Sequence, residues 1–318
     1  MAGPNPNPWW TFGHRSRHCF YALVCLLGGI SSGPAWAREN AGTLTVATYN
    51  ISNYTLTNRM TADGFRPDYP KPELEKTALR RVIQELDADV LALQEVGGPA
   101  YLRELQRDLR SDGCDYPFLA IFVHDDEPRH VAALSRRPFV ATRKHDDLFV
   151  GYRGRNEPVR RGLLELRVAL DDAEVTLFLV HLKSRYTERD DDPASADLRG
   201  GEAVAVRDRI LEVFPDPTAA RFMVLGDFND HPRSRPVRAL LKRGELTISH
   251  LLNAADSRGE RWTHHYARND AYSRVDHVLV SPGLLPWVAG SAQIIDGDAV
   301  NLASDHRPVL VTLRIGED

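Results

Sequence analysis

Eight short β-rich apolar runs set the main constraint on this chain: 44–49, 89–93, 131–134, 163–170, 175–180, 221–225, 275–280 and 308–313. Each is long enough for one strand and too short for a buried helix. Between them lie stretches of helical periodicity. In 73–87, Leu74, Leu79, Val82, Ile83 and Leu86 form one apolar stripe, and 100–110 and 198–214 repeat the pattern with Leu102, Leu105 and Leu109, and with Leu198, Val206, Ile210 and Leu211. Strands flanked by helices, in numbers sufficient for two sheets, predict a layered α/β sandwich.

The ends of the strands carry the chemistry. "LTVATYN" stops at Asn50, "VLALQE" at Glu95, "VTLFLVH" at His181 and "FMVLGDFN" at Asp227 and Asn229. Asp276 lies inside "VDHVLV", and Asp305 and His306 precede "PVLVTL". Each cluster alone has a plain structural explanation. Asn50 turns a chain through its amide, Glu95 enters a solvated loop, His181 is a half-buried histidine, and "GDFND" and "SDHRP" are turns. Asp276 resists such an account, because an unpartnered carboxylate in an apolar run is costly. Six polar clusters from distant sequence converging on one rim is the arrangement that explains all of them. Within "GDFND", Gly226 is expected where the backbone makes a close approach.

The first 37 residues read as a secretory leader: Arg15 and Arg17, the apolar run 19–30, and "AWA" before Arg38. Twelve apolar residues are too few for a transmembrane anchor, so export with cleavage near Ala37, to a secreted or periplasmic location, is expected. The leader holds two basic residues and no acidic one, so its loss moves the formal charge from −4 to −6, with 38 Lys and Arg against 44 Asp and Glu. Such a chain has no global attraction for nucleic acid or anionic lipid, and an anionic substrate must be held locally. Cys19 and Cys25 leave with the leader, so Cys114 has no partner for an intrachain disulfide. No repeat or linker composition breaks the remainder, which reads as one catalytic domain over 38–318, with its folded part near 42–316, expected to be a monomer.

The order of "TYNI", "LQEV", "VHLKS", "GDFND", "RVDHVLVS" and "SDHRPV" resembles the endonuclease/exonuclease/phosphatase superfamily over about 44–313. The resemblance implies a deoxyribonuclease I-like four-layer α/β/β/α sandwich with two facing mixed β-sheets, and hydrolysis of phosphate esters with Mg²⁺ or Mn²⁺. By motif it implies Glu95 as principal metal ligand with Asn50 beside it and Asp305 opposite. Asp227 and Asn229 would position the attacking water and the phosphate, His306 would be the general base partnered by Asp276, and His181 would support the phosphoryl oxygens or the leaving group. Arg161, with Arg160 as the alternative, and Lys183 would meet substrate phosphate, as could Arg185. Relatives often support the first histidine with a further acid, for which Asp126, Glu127 and Glu157 are open. Hard oxygen ligands suit Mg²⁺, and a metal beside a His–Asp pair suits attack on an anionic diester. The favoured substrate is a phosphodiester in DNA or RNA. Small or lipid-derived phosphates are the alternative, favoured by the acidic charge, and a non-catalytic binding protein is a third reading. The segment 55–72 is either a pocket wall or a surface ornament, and the acidic stretch 186–197 argues against a broad duplex track there.

Overall fold

The structure, a computed structural model, describes residues 42–61, 63–124 and 127–315. The proposed leader and Asp126 lie outside the described residues. One sheet has seven strands in the spatial order Ala254–Ala255, Ala292–Ile294, Val309–Arg314, Thr43–Tyr54, Val90–Gly97, Arg129–Ser135 and Phe118–Ile121. The other has six, in the order His250–Leu251, Asp276–Val280, Phe222–Asp227, Ala173–His181, Leu163–Leu170 and Phe139–His145. Both sheets are mixed: Thr43–Tyr54 runs parallel to Val90–Gly97, Ala173–His181 runs parallel to Phe222–Asp227, and antiparallel pairs flank them.

Strand alternation sorts the apolar side chains into three cores. Val46, Val90, Ala92 and Val131 of the first sheet share a core with Leu177, Leu179, Met223, Leu225 and Val278 of the second. The alternate residues Ala47, Tyr49, Leu91 and Leu93 pack instead against Leu79, Val82 and Ile83 of the helix Glu73–Leu86 and Leu102 and Leu105 of the helix Pro99–Ser111. On the second sheet, Phe178, Val180, Phe222 and Val224 pack against Ala203, Val206 and Ile210 of the helix Ala196–Val213. The apolar contacts therefore run helix, sheet, sheet, helix, the pattern that the four-layer expectation requires. Strands buried on both faces read as continuous apolar runs, which is why all eight runs became strands.

The segment 55–72 is a β-hairpin, Thr57–Thr61 against Gly64–Tyr69, with Met60 and Phe65 exposed at its tip. Its base is tied to the first sheet: Arg59 donates to the carbonyls of Asn53 and Thr55, and Lys71 Nζ donates to Ser52 O at 3.1 Å. Among the described residues no helix is long and apolar enough to cross a membrane.

Candidate active site

Cross-strand register builds the site. His181 pairs with Asp227 and Asp227 with Asp276, so three polar side chains stand in one row across adjacent strand ends. Gly226, one residue earlier, has φ +145°, and a Cβ there would lie 1.9 Å from Val180 O. Only glycine lets the strand Phe222–Asp227 come this close and still carry Asp227 to the rim.

Asp227 is the hub. Its Oδ1 accepts the Asn229 peptide N–H at 2.7 Å, and its Oδ2 accepts from Asn229 Nδ2 at 3.2 Å and from Asn50 Nδ2 at 3.1 Å. The Asn50 bond spans the two sheets. The same oxygen lies 3.4 Å from His181 Nε2 and 4.0 Å from His306 Nε2. His306 Nδ1 meets Asp276 Oδ2 at 2.8 Å, and Thr263 Oγ1 accepts the Asp276 peptide N–H at 3.0 Å. Asn229 is held at φ +52° and also donates to Leu182 O at 2.9 Å.

These contacts divide the charges. Burial alone would strip His306 of its proton, but Asp276 outweighs it by charge and hydrogen bond, and Asp227 and Asp305 add to it, so the imidazole is held well above its ordinary value. His181 moves the other way: burial, then Arg161, Arg129 and His306, keep it neutral at pH 7. Burial pushes the Asp227 carboxyl up, with His306 opposing and Asp276 reinforcing. One charged and one neutral imidazole thus flank a single carboxylate, an arrangement able to give one proton and take another. His306 rests as the cation, so it serves as a base only after losing that proton.

Glu95, Asn50 and Asp305 supply hard oxygen donors from three separate segments. Pairing of Val90–Gly97 with both its neighbours shifts register around Glu95, which has φ +65°, so a bulge aims this side chain. Its Oε2 accepts the Asn53 peptide N–H at 2.8 Å, and Asn50 Oδ1 accepts that of Ser52 at 3.0 Å. Asp305 lies at the open edge of the site, and partial desolvation by the surrounding rim opposes its charge, but His306, His264 and a hydrogen bond to Ser52 hold its carboxyl below the usual range. Among the described residues the tight groups of metal-capable atoms are His264, Asp305 and His306, and Asp227, Asp276 and His306; Glu95 belongs to neither. Asp276 Oδ1 is buried with no hydrogen-bond partner. An all-oxygen donor set, with Glu95 held at a positive φ, and a buried carboxylate oxygen left unpartnered on Asp276 fit a hard divalent cation.

Arg160, Arg161, Lys183, Glu127 and Glu157 line a second cavity of about 530 Å³, and Arg185 does not. Arg161 is buried, donates to Leu182 O at 3.0 Å and acts on His181 by charge, whereas Arg160 is exposed beside Glu157. Lys183 does not point at the row: its amine donates to Ser184 O, Ser184 Oγ and Tyr186 O. Glu127 pairs with Arg129 and Arg161, and Glu157 lies near Arg160. His181 Nδ1 has no hydrogen-bond partner among the described residues, and the carboxylate beside this ring is Asp227. Arg185 pairs with Asp230.

Three further contributors leave little mark on the sequence. His264 lies with its ring centroid 4.5 Å from that of His306, and the histidine pair in "WTHHY" was its only sequence signal. Thr263 pins Asp276 through the peptide N–H. Buried Arg199 clamps Asp230 through Nε at 3.1 Å and Nη2 at 2.8 Å while donating to Ala194 O and Lys183 O, tying the loop after Asp227 to the loop after His181.

Comparison with solved structures agrees with this fold. The human Nocturnin catalytic domain with bound sulfate anion superposes with TM-score 0.59 at 14% identity, covering 86% of this chain and 94% of that one. An endonuclease/exonuclease/phosphatase family protein from Bacteroides thetaiotaomicron gives 0.58 at 18% identity over 86% and 98%. Sphingomyelinase C from Streptomyces griseocarneus gives 0.55 at 17% over 86% and 99%. At such identities the likeness establishes the fold alone. No curated protein matches the sequence. The sequence profile of the Endonuclease/Exonuclease/phosphatase family matches residues 47–306, a span that begins beside Asn50 and ends at His306, and the chain belongs to that family of metal-dependent phosphoesterases.

Proposed function

We propose that this protein is an exported phosphodiesterase that uses Mg²⁺ or Mn²⁺ to hydrolyse nucleic acid, acting as a monomer. The observation that carries the reading is the row His181–Asp227–Asp276, closed by His306 2.8 Å from Asp276 and by Asn229 on Asp227. Glu95, Asn50 and Asp305 would hold the metal, which would offset the charge of the diester and acidify the attacking water. Asp227 orients that water with Asn229. His306 would be the base that takes its proton, and a cation held at Asp305 would favour the neutral imidazole that this requires. Neutral His181 donates toward the phosphoryl oxygens, and Arg161 keeps the phosphate side positive. The leader layout at 1–37 supports export, and release from the cell with the N-terminus near Arg38 checks it by N-terminal sequencing.

A second reading, hydrolysis of small or lipid-derived phosphates, draws on the formal charge of −6 after export and on arginines already paired, such as Arg153 and Arg189 with Asp191. Mg²⁺-dependent hydrolysis of plasmid DNA, single-stranded DNA, RNA, inositol phosphates and sphingomyelin by the purified protein separates the two. Nucleic-acid cleavage lost in EDTA and in His306→Ala is expected. Cleavage confined to the small or lipid substrates moves the protein to the second reading, and activity insensitive to both treatments rules out this site. Salt gives an independent check, because a polynucleotide track loses affinity steeply as salt rises.

A further inference from the structure

Asp305 and His306 also line a cavity of about 850 Å³ whose wall is aromatic, formed in part by Trp262, His265 and Tyr272. None of these rings belongs to the three hydrophobic cores, and Tyr272 is 53% exposed. They are nonetheless fixed from several sides. His265 and Tyr272 pair directly across the hairpin His264–Tyr266/Ala271–Ser273, their centroids 4.3 Å apart and their planes within 8°. Asp270 accepts from His265 Nε2 at 3.0 Å and is hydrogen-bonded to Tyr272, so one carboxylate aligns both rings. Trp262 meets Tyr272 edge-on at 4.8 Å and donates its indole N–H to Glu260 at 2.9 Å. Beneath Trp262 lies the buried guanidinium of Arg307, 3.2 Å from the ring centroid and held by Asp256 at 3.1 Å.

Arg307 follows His306 directly, and the His265 and Arg307 peptide N–H groups donate to Asp305 O at 2.9 Å and Thr263 O at 2.7 Å, so the aromatic hairpin is bound to the segment that carries the reacting groups. An ester group of a phosphate at His306 has this wall as its neighbour. The surroundings select among occupants. A lipid chain or membrane surface calls for an apolar border, whereas these rings are bordered by Arg258, Glu260, Asp270 and Arg307. Flat, preordered π faces edged with donors and acceptors match a heteroaromatic ring.

We propose that this cavity is a base-stacking subsite, which takes the nucleobase next to the scissile phosphate on the Trp262–Tyr272–His265 wall and so favours single-stranded over duplex nucleic acid. The inference rests on the phosphodiesterase reading above and adds the substrate class. A base inside a duplex has both faces covered and must first be unstacked, whereas a single strand offers its bases freely.

The test is binding of a fluorescent thymidylate decamer and its abasic counterpart, measured by anisotropy with Mg²⁺ in the His306→Ala background. The base-bearing strand should bind about 5- to 150-fold tighter than the abasic strand, the range of one stacked base. Adding Tyr272→Ala should remove most of that difference, and Tyr272→Phe, which keeps the ring, should retain it. Equal binding of the two strands, or a base preference that survives Tyr272→Ala, overturns the subsite. So does a Tyr272→Ala defect confined to sphingomyelin vesicles, which would assign the wall to a lipid surface. In either case hydrolysis of DNA or RNA by the unmodified protein would leave the parent reading standing; failure to hydrolyse either would remove both.

Discussion

Asp276 Oδ2 lies 2.8 Å from His306 Nδ1, at a strand start where Asp276 also faces Asp227 across the sheet. The bond fixes which imidazole nitrogen remains for chemistry, since the other is committed to the carboxylate. Asp276→Asn keeps the shape but removes the charge that holds the ring. Phosphodiester turnover is expected to fall by about 10² to 10⁴, the usual size of acid–base assistance, with substrate affinity nearly unchanged. Steady-state kinetics decide this, and a variant that loses affinity instead of turnover would assign the pair to substrate binding.

Gly226→Ala tests the close approach. The added Cβ would stand 1.9 Å from a backbone oxygen in a paired strand, at a φ of +145° that alanine rarely adopts. Neither atom is on a flexible side chain, so strands must separate. A loss of roughly 3 kcal/mol or more is expected, in the range of strongly destabilising substitutions. Urea unfolding measures it, and a loss under about 1 kcal/mol would mean that the sheet yields there.

The strands and the rim were legible in the sequence because burial on both faces writes a continuous apolar run, and a polar residue at its end is conspicuous. The short strands Phe118–Ile121, His250–Leu251, Ala254–Ala255 and Ala292–Ile294, at or next to the sheet edges, were not, since two to four residues carry no readable period. Residue types foretold the row His181, Asp227, Asp276 and His306, but not its charges, which depend on burial. Lys183 shows another limit: its position beside His181 suggested a phosphate contact, while its amine turns back onto Ser184 and Tyr186. Nor could spacing show that Arg199, in the first turn of the helix Ala196–Val213 and 31 residues away, would clamp Asp230. Rotamers and long-range pairings of charged residues are settled by packing, which a linear pattern does not record.

Glu202 gives a pH prediction with a definite sign. Buried, and accepting the Lys183 peptide N–H at 2.6 Å, its carboxyl is pushed by burial from 4.5 to about 7 against the pull of that bond and nearby cations. As pH rises the unfolded chain releases this proton first, so the folded state loses stability between about 4.5 and 7 and does not regain it above. Each tenfold difference in proton affinity between the folded and unfolded chain is worth about 1.4 kcal/mol. Glu202→Gln should therefore match the parent near pH 4.5 and exceed it by up to about 3 kcal/mol at pH 8. Urea midpoints at the two pH values measure the difference. A variant no more stable at pH 8 would show that Arg161, Lys183 and Arg199 keep Glu202 ionised.

Metal binding can be tested without reference to turnover. A ligand that binds the folded state alone stabilises it by an amount that grows with the logarithm of its concentration, about 2.7 kcal/mol at one hundred times Kd. Thermal melts in EDTA and in rising Mg²⁺ or Mn²⁺ should therefore separate. Asp305 is held ionised by His306, His264 at 3.8 Å and Ser52, so Asp305→Asn should lower the melting temperature in EDTA through those lost contacts and, separately, abolish most of the metal-dependent gain. Glu95→Gln should also abolish most of that gain from the other sheet position, because the bulge that aims its side chain is fixed by backbone pairing and survives the change. If Asp305→Asn removes the gain and Glu95→Gln does not, the cation sits with the group His264, Asp305 and His306, and Glu95 serves through its bond to the Asn53 peptide instead. If neither variant alters the gain, the metal binds elsewhere and the oxygen set at the rim is not its site.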